Sequence, residues 1–226
     1  MSSIDCAMCN NPATLRCSAC RCSPIYCSKP CQLADWKLHK NLCKSRPSFE
    51  TPPTPESRRA IVFLESGEIK FTWETTCMKT DEDDGTIWES PTGLEKYFGG
   101  QRPKIQPYYN NVIRNRRLKE HIDLRFNDNF LLDGSPKNLA VCKVVEGMDN
   151  GGAVWRGALV ALKQTNTWLN KERTLGNESP GFGHMDLGDF REVVDYLTNW
   201  KRNADTDPET RQRQSQKAFE AMMKGL

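Results

Sequence analysis

Beyond residue 43 this 226-residue chain is nearly empty of cysteine and histidine: only Cys77, Cys142, His121 and His184 lie there. It also lacks any run of about 18 apolar residues, so no membrane span is expected. Met1-Ser2-Ser3-Ile4-Asp5 has no apolar stretch of the kind a secretory leader needs. Without a leader, its cysteines point to a reducing compartment, cytoplasm or nucleus, rather than to a disulfide framework. No G-x-S-x-G nucleophile motif occurs. The acidic run Asp81-Glu82-Asp83-Asp84-Gly85 lacks calcium-loop spacing and is expected to be a solvated loop. A strong charge of either sign is missing too, because the formal balance is +3 with thiols counted as neutral.

What is present is concentrated near the start. Of the ten cysteines, eight precede residue 44, and seven of those eight fall into four ligand pairs with His39. The pairs are Cys6-x2-Cys9, Cys17-x2-Cys20, Cys27-x3-Cys31 and His39-x3-Cys43. Paired thiolates and imidazole at these spacings are tetrahedral zinc chemistry, and four pairs make two sites. Two Zn²⁺ bring four positive charges and seven thiolates seven negative ones, so the formal +3 falls to about zero. Bulk electrostatics then give no case for nucleic acid as the partner.

Helix geometry constrains how the pairs combine. Ser28 is a good N-cap and Pro30 suits a first turn, which predicts a helix from there to about Leu42. Along it, residues 31 and 39 are separated by about 12 Å, too far for one ion with bonds of about 2.3 and 2.1 Å. The third and fourth pairs therefore serve different metals, and the first two pairs are split between them. Spacing leaves open which goes with which. With four protein ligands per ion no position is left for water, so both sites are structural. A module this small depends on its metal to fold.

The run from Cys17 to Cys43, with Tyr26-Cys27-Ser28, Cys31-Gln32, Asp35-Trp36 and His39-Lys40, resembles a MYND-type zinc finger over about residues 6–43. The resemblance implies a cross-braced pair of zinc ions. Cys6, Cys9, Cys27 and Cys31 would hold one, and Cys17, Cys20, His39 and Cys43 the other. It also implies a protein-interaction role, docking short proline-containing peptides on a surface similar to Ser18, Gln32 and Trp36, in a regulator of transcription. The segment from Cys20 to Cys27 is one residue longer than usual and holds an extra thiol, Cys22, read as a spare rather than a ligand. The Asn-His-Ser type motif of SET methyltransferases that carry such a finger is absent.

The expected organisation is a finger at 1–46, a proline-rich linker at 47–59, an α+β domain at 60–200 and a polar helix or tail at 201–226. The fold class is thus a small cross-braced zinc module followed by an α+β domain. Ala60–Leu64 and Ile69–Trp73 predict a hairpin turned at Gly67. Leu94–Phe98 reads as a helical turn and residues 101–111 as irregular. Val112–Ile122 reads as a helix whose Arg114, Arg116, Arg117 and Lys119 form a solvated face. Leu139–Val145 and Val154–Leu162 read as strands joined across Gly147–Gly152. Asp186 caps the strongest predicted helix, with Leu187, Phe190, Val194 and Leu197 at helical spacing. A terminal helix is expected over Pro208–Leu226.

Two other function classes compete with the adaptor reading. A nucleic-acid-binding regulator would use Lys37, Lys40 and Lys44 of the finger. A catalytic C-terminal domain would be centred on His184 and Asp186. The simpler reading of His184 is a loop leading into the capped helix.

Overall fold

The computed structural model describes residues 5–83, 85–145, 155–165 and 181–205. The finger consists of a short antiparallel pair, β1 (Leu15–Arg16) and β2 (Ile25–Tyr26), followed by α1 (Lys29–Cys43). Ser28 is extended, and its hydroxyl accepts from the Cys31 amide at 3.5 Å, with proline in the first turn as predicted. One side of α1 is buried through Asp35, Leu38, His39, Leu42 and Cys43. The opposite side carries exposed Leu33 and Trp36.

Among the described residues, the rest of the chain builds a seven-stranded sheet with four helical segments, the first a 3-10 turn at Arg46–Phe49. The strands are β3 (Ser57–Phe63), β4 (Ile69–Thr80), β5 (Ile87–Pro91), β6 (Lys104–Asn111), β7 (Arg116–Phe126), β8 (Leu159–Thr165) and β9 (Gly181–Gly183). They run in the order β5-β4-β3-β8-β7-β6, with β9 paired to β8. A 3-10 turn spans Leu94–Tyr97, and the α-helices are α2 (Leu139–Val144) and α3 (Leu187–Asp205). The β3–β4 hairpin forms as expected, with Gly67 in the left-handed region (φ 91°) where a side chain would be strained. The acidic run closes the β4–β5 turn, where the Asp81 amide donates to the Thr86 carbonyl at 2.8 Å.

Three segments differ from expectation. Val112–Ile122 is a turn followed by β7, not a helix. Asn115 adopts φ 48°, which asparagine tolerates in a hairpin turn, and the chain then alternates His121/Asp123/Arg125 against Ile122/Leu124/Phe126. Residues 101–111, read as irregular, contain β6, where Pro107 is tolerated because the strand lies at the sheet edge. Leu139–Val144 is helical rather than extended, because Asn138 caps it. The Asn138 carboxamide accepts from the Val141 amide at 2.9 Å and donates to the Phe63 and Gly157 carbonyls. Cys142 is thereby in α2 and only half-buried. β8 starts at Leu159, later than predicted; Gly147–Gly152 and Pro208–Leu226 lie outside the described residues.

Helix α3 covers one face of the sheet with Leu187, Phe190, Val193, Val194 and Leu197, all nearly inaccessible. Each such side chain contributes about 1.5–3 kcal/mol by leaving water. Cys17, Leu38, Leu42 and Cys43 of the finger belong to this same core, alongside Ile61, Phe63, Ile122, Leu124 and Phe190. The finger is therefore not a bead on a spacer. Its connection is docked as well: Phe49 sits 5.8 Å from the rings of both Phe71 and Trp73, and its carbonyl accepts from the Arg59 guanidinium.

Candidate metal centre

The eight predicted ligands gather into two groups, Cys6/Cys9/Cys27/Cys31 and Cys17/Cys20/His39/Cys43, with ligand atoms within 4.8 Å of one another in each. The interleaved split is the one the resemblance implied. A tetrahedron of zinc bonds of about 2.3 Å to sulfur and 2.1 Å to nitrogen sets sulfurs about 3.8 Å apart and sulfur to nitrogen about 3.6 Å. In the first group Cys9–Cys27, Cys27–Cys31 and Cys31–Cys9 are 3.4, 3.6 and 3.9 Å apart. In the second, Cys17–Cys43 is 3.8 Å and Cys20 Sγ to His39 Nε2 is 3.5 Å. These spacings are far beyond a disulfide bond of about 2.05 Å, and they fit zinc. Burial pushes the His39 imidazole below its ordinary pKa, against the pull of the Asp35 carboxylate, and the neutral ring is the form that ligates.

The structure adds a set of supporting residues that spacing does not reveal. Because His39 presents Nε2 to the sulfurs, its Nδ1 faces the Tyr26 hydroxyl at 3.4 Å. Tyr26 donates in turn to Asp35 at 2.7 Å, and Asp35 accepts from Arg191 of α3 at 2.8 Å. A buried carboxylate that orients a ligating histidine through a second group also sharpens the ligand geometry. Arg114 binds Asp195 of α3 at 2.8 Å and donates to the Met8 carbonyl in the first zinc loop. Arg116 donates to the Cys6 carbonyl and to Asn10, and pairs with Glu192. The predicted solvated basic face is thus corrected for these two arginines, which bolt the finger to α3. The available signal was Asp35, an acidic residue on the buried stripe of α1 with Leu38 and Leu42.

The remaining predicted residues are placed as follows. Ser18 is exposed in the Cys17–Cys20 loop, Gln32 is half-buried, and Trp36 is 46% exposed with its indole stacked 5.8 Å from the His39 ring. Cys22 is half-buried against the main core and outside both ligand groups. Cys22→Ser is therefore expected to keep two zinc equivalents by atomic absorption, whereas Cys20→Ser loses one; the reverse outcome would reassign the ligand. His184 is engaged structurally: its Nδ1 accepts from the Arg59 amide at 3.1 Å and its ring meets Trp73 edge-on at 5.4 Å. Burial and the Arg59, Arg58, Lys163 and Arg46 charges push its pKa below the usual range. Asp186 accepts from the Leu187 amide, from Ser23 and from Arg46, so it joins the helix start to the finger.

This is a cross-braced, two-zinc module with closed coordination. Residues 6–43 match the family model described as MYND finger, so this segment is a MYND finger, a zinc-binding protein-interaction module; the C-terminal region matches no family. The chain is 28% identical over 107 residues to Tudor domain-containing protein 1 of Oryzias latipes, covering 44% of this chain and 9% of that protein. It is 43% identical over 51 residues to deformed epidermal autoregulatory factor 1 of Drosophila melanogaster, covering 23% and 9%. It is 40% identical over 67 residues to ubiquitin C-terminal hydrolase 15 of Oryza sativa subsp. japonica, covering 26% and 7%. The chain thus spans less than a tenth of the length of these relatives. No solved structure matches it. Among the described residues no helix is long and apolar enough to cross a membrane.

Proposed function

We propose that the protein is a non-enzymatic adaptor of the cytoplasm or nucleus whose finger docks short proline-containing peptides on Ser18, Gln32 and Trp36. The observation that carries this reading is the two-sidedness of α1. The side bearing Asp35, Leu38 and Leu42 is committed to the domain, while Trp36 stays 46% exposed and Leu33 61% exposed. An indole held against a ligand ring is a rigid apolar platform, which suits an extended proline-bearing strand. Gln32, one turn away, supplies polar capacity, although its carbonyl oxygen accepts from Lys29 at 2.9 Å in the free protein. The similarity to deformed epidermal autoregulatory factor 1 supports a regulatory setting. Arg114 and Arg116 are spent on α3 and on backbone carbonyls, so the nucleic-acid alternative has only the lysines of the finger to rest on.

A proline-containing peptide library, followed by fluorescence polarisation of the retained sequences, tests the proposal. Trp36→Ala is expected to weaken binding by about thirtyfold or more, as for a central aromatic anchor, while zinc content stays at two equivalents. Retention of no proline-containing peptide, or an affinity indifferent to Trp36→Ala, would refute it. Binding to RNA or DNA that weakens steeply with salt and tracks Lys37, Lys40 and Lys44 would favour the nucleic-acid reading instead.

A further inference from the structure

The sheet face turned away from α1 and α3 is chemically different from the covered one. Residues directly opposite in an antiparallel ladder project to the same side. The pairs Ile105↔Arg125, Asp123↔Leu162, His121↔Gln164 and Gln164↔Phe182 therefore set Asp123, Arg125, Gln164 and Phe182 on one face. Part of this face is apolar and closed by Leu94 and Phe98 over Val62, Val160 and Leu162. The other part is polar, yet buried: His121, Asp123 and Arg125 are 8, 6 and 9% exposed. A cavity of about 480 Å³ opens there, with Arg125, Gln164 and Phe182 among its lining, Trp88 as an aromatic wall, and exposed Lys79 and Arg102 around it. That volume is in the range of small-molecule sites, about 300–1,000 Å³.

The hydrogen-bond ledger of the cavity does not close. Its buried acids are already engaged. Glu89 accepts from Arg58 at 2.7 Å, from the Phe182 amide at 2.6 Å and from the Thr76 hydroxyl. Asp123 is shared by His121 at 3.2 Å and Arg125 at 3.4 Å. Other polar groups around it are not. Arg125 Nε and Gln164 Oε1 are buried with no hydrogen-bond partner among the described residues. Lys79 and Arg102 take part in no ion pair among the described residues. A buried polar atom left unmatched costs about 1–3 kcal/mol, so two such atoms on side chains that line one cavity mark a place for a complement. The Arg125 guanidinium is held over the Phe182 ring, 5.6 Å from its centroid, which fixes the direction of its free N–H. Burial pushes its pKa down, and Asp123 only partly opposes this, so the cation is incompletely compensated.

We propose that this cavity binds a small ring-bearing oxyanion, a carboxylate or a phosphate monoester, whose acid group is held by Arg125 with Lys79 and Arg102 while its body donates a hydrogen bond to Gln164. Both acid types offer the paired oxygens that a guanidinium fork recognises. The flat indole of Trp88 and the ring of Phe182 suit an unsaturated body. No finger residue lines the cavity, so this site and the peptide surface stand or fall separately.

Isothermal titration of the full zinc-loaded chain with 4-hydroxybenzoate, 4-hydroxyphenyl phosphate and neutral 4-hydroxybenzamide tests it. One-to-one saturable binding of either acid at millimolar concentration or below is expected, with no saturation by the amide. Response to the first acid alone identifies the carboxylate, response to the second alone the phosphate ester, and response to both a site that reads the charge. Arg125→Met should weaken binding at least about tenfold, the loss expected for a charge-assisted hydrogen bond. Because Arg125 is buried and its variant can misfold, the surface double variant Lys79→Ala/Arg102→Ala gives a second reading, with affinity down several-fold and its salt dependence flattened. Trp36→Ala should bind as the parent does. The proposal is overturned if neither acid saturates, if the amide binds equally well, or if the folded Arg125→Met and Lys79→Ala/Arg102→Ala proteins bind unchanged.

Discussion

Chelation of zinc is expected to unfold the sheet domain together with the finger. Apparent binding free energies of structural zinc are about 10–16 kcal/mol at neutral pH, while a whole domain is stable by only about 5–15 kcal/mol. In this chain the second site is part of the main core: Cys17 and Cys43 pack with Leu38 and Leu42 against the cluster that contains Ile61, Phe63 and Phe190. Without the ion, thiols 3.8 Å apart and the imidazole beside them lose what holds α1 in place. The near-UV circular dichroism of Trp155, buried in that same core, should therefore collapse on chelation along with the loss of zinc. Single-site variants sharpen the expectation. Cys43→Ser should lower the melting temperature of the sheet far more than Cys9→Ser, because the first site packs in a separate cluster with Ala7, Ala13 and Ile25. An unchanged sheet melt in the chelated protein would show that the domain stands without its finger.

Asp35→Ala should cost about 3–5 kcal/mol while leaving both zinc equivalents bound. The Asp35 carboxylate is 1% exposed and receives Tyr26 at 2.7 Å and Arg191 at 2.8 Å. Removing one member of a buried ion pair is costly chiefly because the other is left charged out of water. Arg191 would keep only its longer contact to Asp195 at 3.4 Å, and Tyr26 would lose its acceptor. For a chain of this size the expected fall in melting temperature is roughly 6–20 °C. Asp35→Asn preserves shape and one acceptor and should lose less. A loss below about 1 kcal/mol for the alanine variant, measured by denaturant titration, would mean that the Tyr26–Asp35–Arg191 chain is incidental.

The ligand pairs were legible because each is a local object. Three or four residues separate the partners, and the 12 Å argument needs only the rise of one helix. The β3–β4 hairpin, the Ser28 cap and the apolar stripe of α3 were legible for the same reason. The reading failed where the pattern lacked an apolar face to follow. In β7 one side is His121, Asp123 and Arg125, so the strand resembles a charged helix until its partners are known. In α2 the β-branched Val141 and Val144 favour a strand, and a single buried asparagine overrides them through three hydrogen bonds.

The amino-acid order alone thus established the metal and the number of ions, since short-range spacing and thiolate chemistry are independent of the distant chain. Folding in three dimensions settled three things more. It merged the finger into the core of the sheet. It spent Arg114, Arg116 and Arg191 on carboxylates from Asp35 to Asp195, across 81, 76 and 156 residues of chain. It also aligned Arg125 and Gln164 on one buried face. Contacts over such separations depend on strand register and helix docking, and a shift of one residue in β7 would turn its polar face into the core.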